Sequence, residues 1–193
     1  MAFRFPRWSN TALRLAMAGG LVGACAVVAA PMIAVRTAYL TGQDLPVDQP
    51  VELDHRHHVQ DGGIECLYCH PTATTGAAAG IPATEVCMGC HSQIWPTSPL
   101  LEPVRRSWLS GRPIRWNRVH ALPDFVYFHH GIHVGRAGIG CPTCHGRVDR
   151  AARVAKVVPM TMGWCLDCHR DPARRLGPGK GLRALTHCTA CHR

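Results

Sequence analysis

Five times in 193 residues the chain reads Cys-x-x-Cys-His: at Cys66, Cys69 and His70; Cys87, Cys90 and His91; Cys141, Cys144 and His145; Cys165, Cys168 and His169; and Cys188, Cys191 and His192. Two thiols separated by two residues can each form a thioether to a haem vinyl group, and the adjacent imidazole then reaches the iron. Disulfides and zinc are the other uses of so many cysteines. Zinc ribbons use paired Cys-x-x-Cys but do not require a His after every second Cys. With 13 His in 193 residues, a chance His at all five positions has a probability on the order of one in a million. The motifs therefore imply five covalently bound haems c, held by ten of the eleven cysteines.

That count limits the fold. Residues 53–193 provide roughly 28 residues per haem, far fewer than a polypeptide needs to build an apolar core unaided, so the haems must be the core. Aromatic residues are only 6% of the chain, while Gly and Pro number 19 and 15. The expected fold class is mostly α and irregular: a multihaem cytochrome c of short helices and loops wrapped around five haems, without long strands.

The second constraint is a duplicated histidine pair. His130 and His133 precede the third motif, and His55 and His58 precede the first, with the same eleven residues from the first His of the pair to the first Cys. On one helical turn, residues three apart point to the same side, where either imidazole can supply an iron's other axial ligand. Outside the motifs eight His remain: His55, His57, His58, His120, His129, His130, His133 and His187. The two pairs are the best four distal ligands. His120 on the long connector, Met162 just before Cys165, and His187 compete for the fifth, although His187 immediately precedes Cys188 and is poorly placed to turn back to its own iron. His57 and His129 read as neighbours of ligands or as solvent-facing. His130 and His133 cannot both complete the haem of the third motif, so at least one should reach an iron held elsewhere. The stretch would then clasp two haems, and residues 53–70 would form a second clasp.

Residues 1–14 carry Arg4, Arg7 and Arg14 and no acidic residue, and 15–35 are uncharged and mostly apolar. Twenty-one such residues can span a bilayer. Positive charge on the N-terminal side predicts a cytoplasmic N-terminus and an exported remainder. A cleaved signal peptide is the rival, but its apolar region is normally shorter. A lipoprotein box ending at Cys25 also fits poorly, because residues 26–35 stay apolar. A polar spacer with Gly42, Pro46 and Pro50 then leads from the membrane surface. The organisation expected is a basic N-terminus at 1–14, a transmembrane anchor at 15–35, a linker at 36–52 and a periplasmic pentahaem domain at 53–193.

Between His91 and Cys141 lie 49 residues, against gaps of 16, 19 and 18 elsewhere, so a non-haem element fits only there. A short helix is expected over 101–109 with Leu101, Val104, Trp108 and Leu109 on one side. The formal charge of +9 suggests nucleic acid at first sight, but haem propionates offset it; Arg147, Arg150 and Arg170 beside the motifs are candidate propionate partners. With distal ligands available for all irons, the chemistry expected is electron transfer and not catalysis on a substrate. A multihaem reductase, the enzymatic rival, would need one five-coordinate haem.

The sequence resembles the membrane-anchored pentahaem cytochrome c subunit of bacterial alternative complex III, on A-G-I-P-A-T-E-V-C-M-G-C-H-S-Q-I-W, L-E-P-V-R, P-I-R-W-N-R-V-H-A-L-P-D-F-V-Y-F, C-P-T-C-H-G-R-V-D and M-T-M-G-W-C-L-D-C-H-R-D-P. It departs from that pattern at Leu53, where an aromatic is typical, and in the extra His57. The resemblance implies a quinol-oxidising respiratory complex of the inner membrane. In it, an iron-sulfur subunit related to molybdopterin oxidoreductases and integral quinol-binding subunits would pass electrons to this chain, and a periplasmic carrier or terminal oxidase would accept them. It also implies that one haem is His/Met ligated, which carries over to Met162 and keeps His120 as its competitor. A membrane-anchored multihaem quinol dehydrogenase feeding a periplasmic reductase is the alternative; there a Met usually follows two residues after the first motif, where this chain has Pro71 and Thr72.

Overall fold

The computed structural model describes residues 4–171 and 186–192; residues 172–185, before the fifth motif, lie outside it. The chain divides into two units, Met1–Gln43 and Asp44–Arg193.

The first unit is built on α1, Ser9–Ala34, followed by one turn, α2, at Ala38–Thr41. At ~1.5 Å per residue α1 is about 39 Å long, more than the ~30 Å hydrocarbon thickness of a bilayer. Its most apolar 18-residue stretch has a mean hydropathy of 2.0, and none of its residues is buried against protein. It is thus long and apolar enough to cross a membrane, and it starts six residues before the uncharged run, taking in Arg14. Gly42 ends α2 in the left-handed region, φ 65°, which suits a residue without Cβ.

The second unit has short helices and irregular segments, and among the described residues no strand beyond two isolated antiparallel bridges, Pro46 with Ala155 and Val126 with His192. Its α-helices are α3 (Cys66–Cys69), α4 (Thr84–His91), α5 (Glu102–Ser110), α6 (Pro142–His145) and α7 (Met162–Arg170). All but α5 carry a Cys-x-x-Cys-His motif or part of one. The fifth motif falls on a 3-10 turn, Cys188–Ala190.

Among the described residues the only buried apolar side chains are Val51, Ala73 and Val104, and no large side chain is fully buried. Tyr68, Ile81, Trp95, Phe125 and Tyr127 are instead more than half exposed. Burying one such side chain contributes roughly 1.5–3 kcal/mol, so the polypeptide alone leaves most of its hydrophobic stabilisation unrealised.

Helix α5 occupies the long connector, as expected, but turns a different face inward. Val104 is 2% exposed and Ser107 is buried, whereas Leu109 is 84% exposed. The polar contact decides this: the Ser107 hydroxyl lies 2.7 Å from the Thr84 hydroxyl on α4 and donates to the Arg112 carbonyl at 2.6 Å. That pins the Val104–Ser107 side against α4 and turns Leu109 away.

Candidate haem centres

The two His pairs lie on matching elements. Arg56–Asp61 and Gly131–Arg136 each form a π-helical turn, and His55 and His130 cap them at the N-terminal end. Five-residue hydrogen bonds, from Gly62 N–H to the His57 carbonyl and from Ala137 N–H to the Ile132 carbonyl, widen both turns. Residues three apart diverge more on such a turn than on an α-helix. The expectation that both imidazoles of a pair point to the same side is therefore corrected. Phe128 helps hold the second pair apart. Its ring meets His130 edge-on at 4.8 Å and stacks at 23° on His133 at 4.5 Å.

Three of the four pair imidazoles instead face a motif histidine. Ring centres are 6.1 Å apart for His58 and His91, 6.3 Å for His130 and His145, and 6.0 Å for His133 and His169. Two imidazoles bound through Nε2 on opposite sides of one metal, at the ~2.0–2.1 Å bond length usual for imidazole nitrogen, have ring centres ~6.3 Å apart. The fourth, His55, has His70, His58 and Asp54 in its electrostatic surroundings. Burial, then His70, lowers its pKa. Burial also comes first in lowering His133 and His145. All three are thereby held neutral, the form that donates a lone pair to a metal.

The other ring nitrogens are engaged elsewhere. Nδ1 of His58 lies 2.9 Å from the Asp54 carbonyl, that of His70 2.7 Å from Gly80, of His91 3.0 Å from Ile94, of His130 2.9 Å from Ala77 and of His133 2.9 Å from His129. A carbonyl on Nδ1–H fixes the tautomer with the lone pair on Nε2, the arrangement in which metal-binding imidazoles are normally held. His145 differs, since its Nδ1 lies 3.2 Å from Nε2 of His120. Burial first, and His145 next, push the His120 pKa down to about 4, so His120 is an acceptor for the His145 N–H. Buried Nδ1 atoms of His55 and His129 have no hydrogen-bond partner. His57 is exposed and paired with Asp61.

The motif thiols neighbour one another across motifs, and burial raises their pKa before the adjacent thiols add to it: Cys66 beside Cys141, Cys87 beside Cys69, Cys144 beside Cys168 and Cys165, and Cys165 beside Cys191. A shallow, open groove lined by Gly63, Ile64, Glu65, Tyr68 and Cys90 lies between the first and second motifs. These residues fit covalent haem. Among the described residues no three His, Cys, Asp or Glu side chains are grouped as a ready-made metal site.

Four further placements complete the site. Met162 opens α7 and is 64% exposed. Phe125 stacks on His192 with ring centres 5.9 Å apart. The Arg147 guanidinium is committed to Asp149 in a two-bond pair. Phe128 had no warning in the ligand count; its only sequence signal is that it stands where the first clasp has Leu53.

Residues 126–193 match the family model described as cytochrome c7 and related cytochrome c. The chain is also 29% identical over 161 residues, 75% of its own length and 68% of the relative's, to the menaquinone reductase multiheme cytochrome c subunit of Nitratidesulfovibrio vulgaris Hildenborough. With these likenesses, the short helices and irregular segments that carry Cys-x-x-Cys-His motifs after one apolar N-terminal helix have the fold of a multihaem cytochrome c.

Proposed function

We propose that this chain is the electron-carrying subunit of a membrane quinone-linked oxidoreductase complex and holds five haems c. The observation that carries the reading is the set of imidazole pairs 6.0–6.3 Å apart, most of whose members have Nδ1 tied to a backbone carbonyl. Haem iron ligated on both sides is low-spin and exchanges single electrons without binding a substrate.

In this reading the ten motif cysteines hold the porphyrins, and His70, His91, His145, His169 and His192 are the proximal ligands. His55 completes the first centre, His58 the second, His130 the third and His133 the fourth. Each π-turn then serves two centres, its own motif's and a neighbour's. For the fifth, the contact of His120 with His145 favours Met162. A thioether ligand raises the potential of its iron and suits that centre to be the high-potential exit. Helix α1 anchors the chain in the cytoplasmic membrane with its N-terminus inside and its haem domain in the periplasm.

The partners proposed are an iron-sulfur subunit related to molybdopterin oxidoreductases, integral quinol-binding subunits, and a periplasmic carrier or oxidase as acceptor. A second reading is favoured by the name of the Nitratidesulfovibrio relative: electrons run toward menaquinone. Purification of the native complex tests both. Five haem additions by intact mass, no carbon monoxide shift in the ferrous spectrum and co-purified membrane subunits support the proposal. Net quinol oxidation supports the first direction and net quinone reduction the second, whereas quinol oxidation by the isolated chain supports a self-sufficient quinol dehydrogenase.

A further inference from the structure

We propose that the five attachment sites form one unbranched row in the order second, first, third, fourth, fifth, so that electrons enter and leave at the second and fifth sites. This rests on the reading that all five motifs carry haem. Chain order would put the second site between the first and the third. The structure departs from chain order at one joint, where the first site meets the third.

The first and second sites meet through Cys69 and Cys87 and through the facing rings of His58 and His91. The first and third meet through Cys66 and Cys141, and here the backbones join as well. His130 N–H donates to the Ala77 carbonyl at 3.0 Å, and Gly131 N–H to the Gly76 carbonyl at 2.9 Å. Gly131 is required at this joint, because a Cβ there would lie 2.8 Å from the Thr75 carbonyl carbon. The third and fourth sites meet through Cys144 and Cys168 and through His133 facing His169.

The fifth site adjoins the fourth through Cys191 beside Cys165, and its backbone is tied to the segment before the third motif, where Tyr127 N–H donates to the Cys191 carbonyl at 2.7 Å and Val126 bridges to His192. The second site lies across the first, on α4, whose other packing partner is α5. A carrier shaped this way has two ends formed by segments far apart in sequence, around residues 87–91 and 188–192. Two partners can then exchange electrons with it without competing for one surface.

The test is to locate the irons in the holoprotein within its complex, by cryo-electron microscopy or by anomalous diffraction at the iron edge, and to assign each to its cysteines. The expected result gives the second-site iron one near neighbour, the first-site iron, and the fifth-site iron one, the fourth-site iron. Five irons with the second nearest the third, or with any iron at a branch, overturn the row and leave the haem reading intact. Fewer than five haem additions by intact mass overturn both.

Discussion

Replacing His133 by glycine tests the crossed ligand pairing directly. The ring of His133 stands 6.0 Å from that of His169, and its Nδ1 is held 2.9 Å from the His129 carbonyl. Losing that hydrogen bond costs about 0.5–1.5 kcal/mol, small against a fold secured by thioethers, so the variant should mature with its full haem complement. One iron in five would lose its distal ligand, and about one fifth of the ferrous haem absorbance should shift on adding carbon monoxide, against none in the parent. Free imidazole should reverse the shift by refilling the gap. The crossing is then read from a double variant. Removing the fourth haem with Cys165→Ala and Cys168→Ala should abolish the carbon monoxide signal of His133→Gly, whereas removing the third haem should leave it. A signal that survives loss of the fourth haem, or an unchanged spectrum in the single variant, would refute the assignment of His133 to His169.

Leucine at His120 should leave every haem low-spin and unreactive to carbon monoxide, while one midpoint potential rises, because the His145 N–H loses its acceptor and the imidazole becomes a weaker donor; a carbon monoxide-reactive fraction would instead make His120 the fifth distal ligand. Met162→Ala should give that reactive fraction and lower the highest potential in the redox titration. Gly131→Val forces a side chain onto the Thr75 backbone and should destabilise the holoprotein by about 1–3 kcal/mol, read as a lower Tm with reduced yield. Ser107→Ala removes two part-buried hydrogen bonds between α4, α5 and Arg112, and should lower stability by about 0.5–1.5 kcal/mol, the net worth of such bonds, without moving any haem band.

The motifs were legible because haem attachment is local chemistry: two thiols and an imidazole within five residues need no tertiary information. The lack of a polypeptide core followed from the same count, and among the described residues the only buried apolar side chains are Val51, Ala73 and Val104. Legibility stopped where backbone detail decides direction. Spacing of i and i+3 cannot distinguish an α-turn from a π-turn, yet that difference separates His130 from His133. Hydrophobic periodicity placed α5, but its inward face was fixed by Ser107, a polar residue that such a pattern ignores. The contact of His120 with His145 was hidden because the two are 25 positions apart, across the one connector long enough to return in more than one way.

The two clasps also explain why the row does not follow the chain. Each clasp joins the motif it precedes to the next one along the sequence, the first to the second and the third to the fourth, so the chain folds as two linked pairs and a fifth site. The stretch matched by the cytochrome c7 model, 126–193, holds the last three motifs, and it is closed near its two ends by the bridge of Val126 with His192. A module closed in this way offers its other side to the first pair. There the contact is made by Gly76, Ala77, His130 and Gly131, residues beside the first and third motifs. Because the 3-10 turn Pro71–Thr74, directly after the first motif, packs on the π-turn Gly131–Arg136, the first motif must face inward. The second is carried outward on α4. Lengthening the row thus needs only one repeated clasp and one glycine-dependent backbone contact, with no change to the closed module.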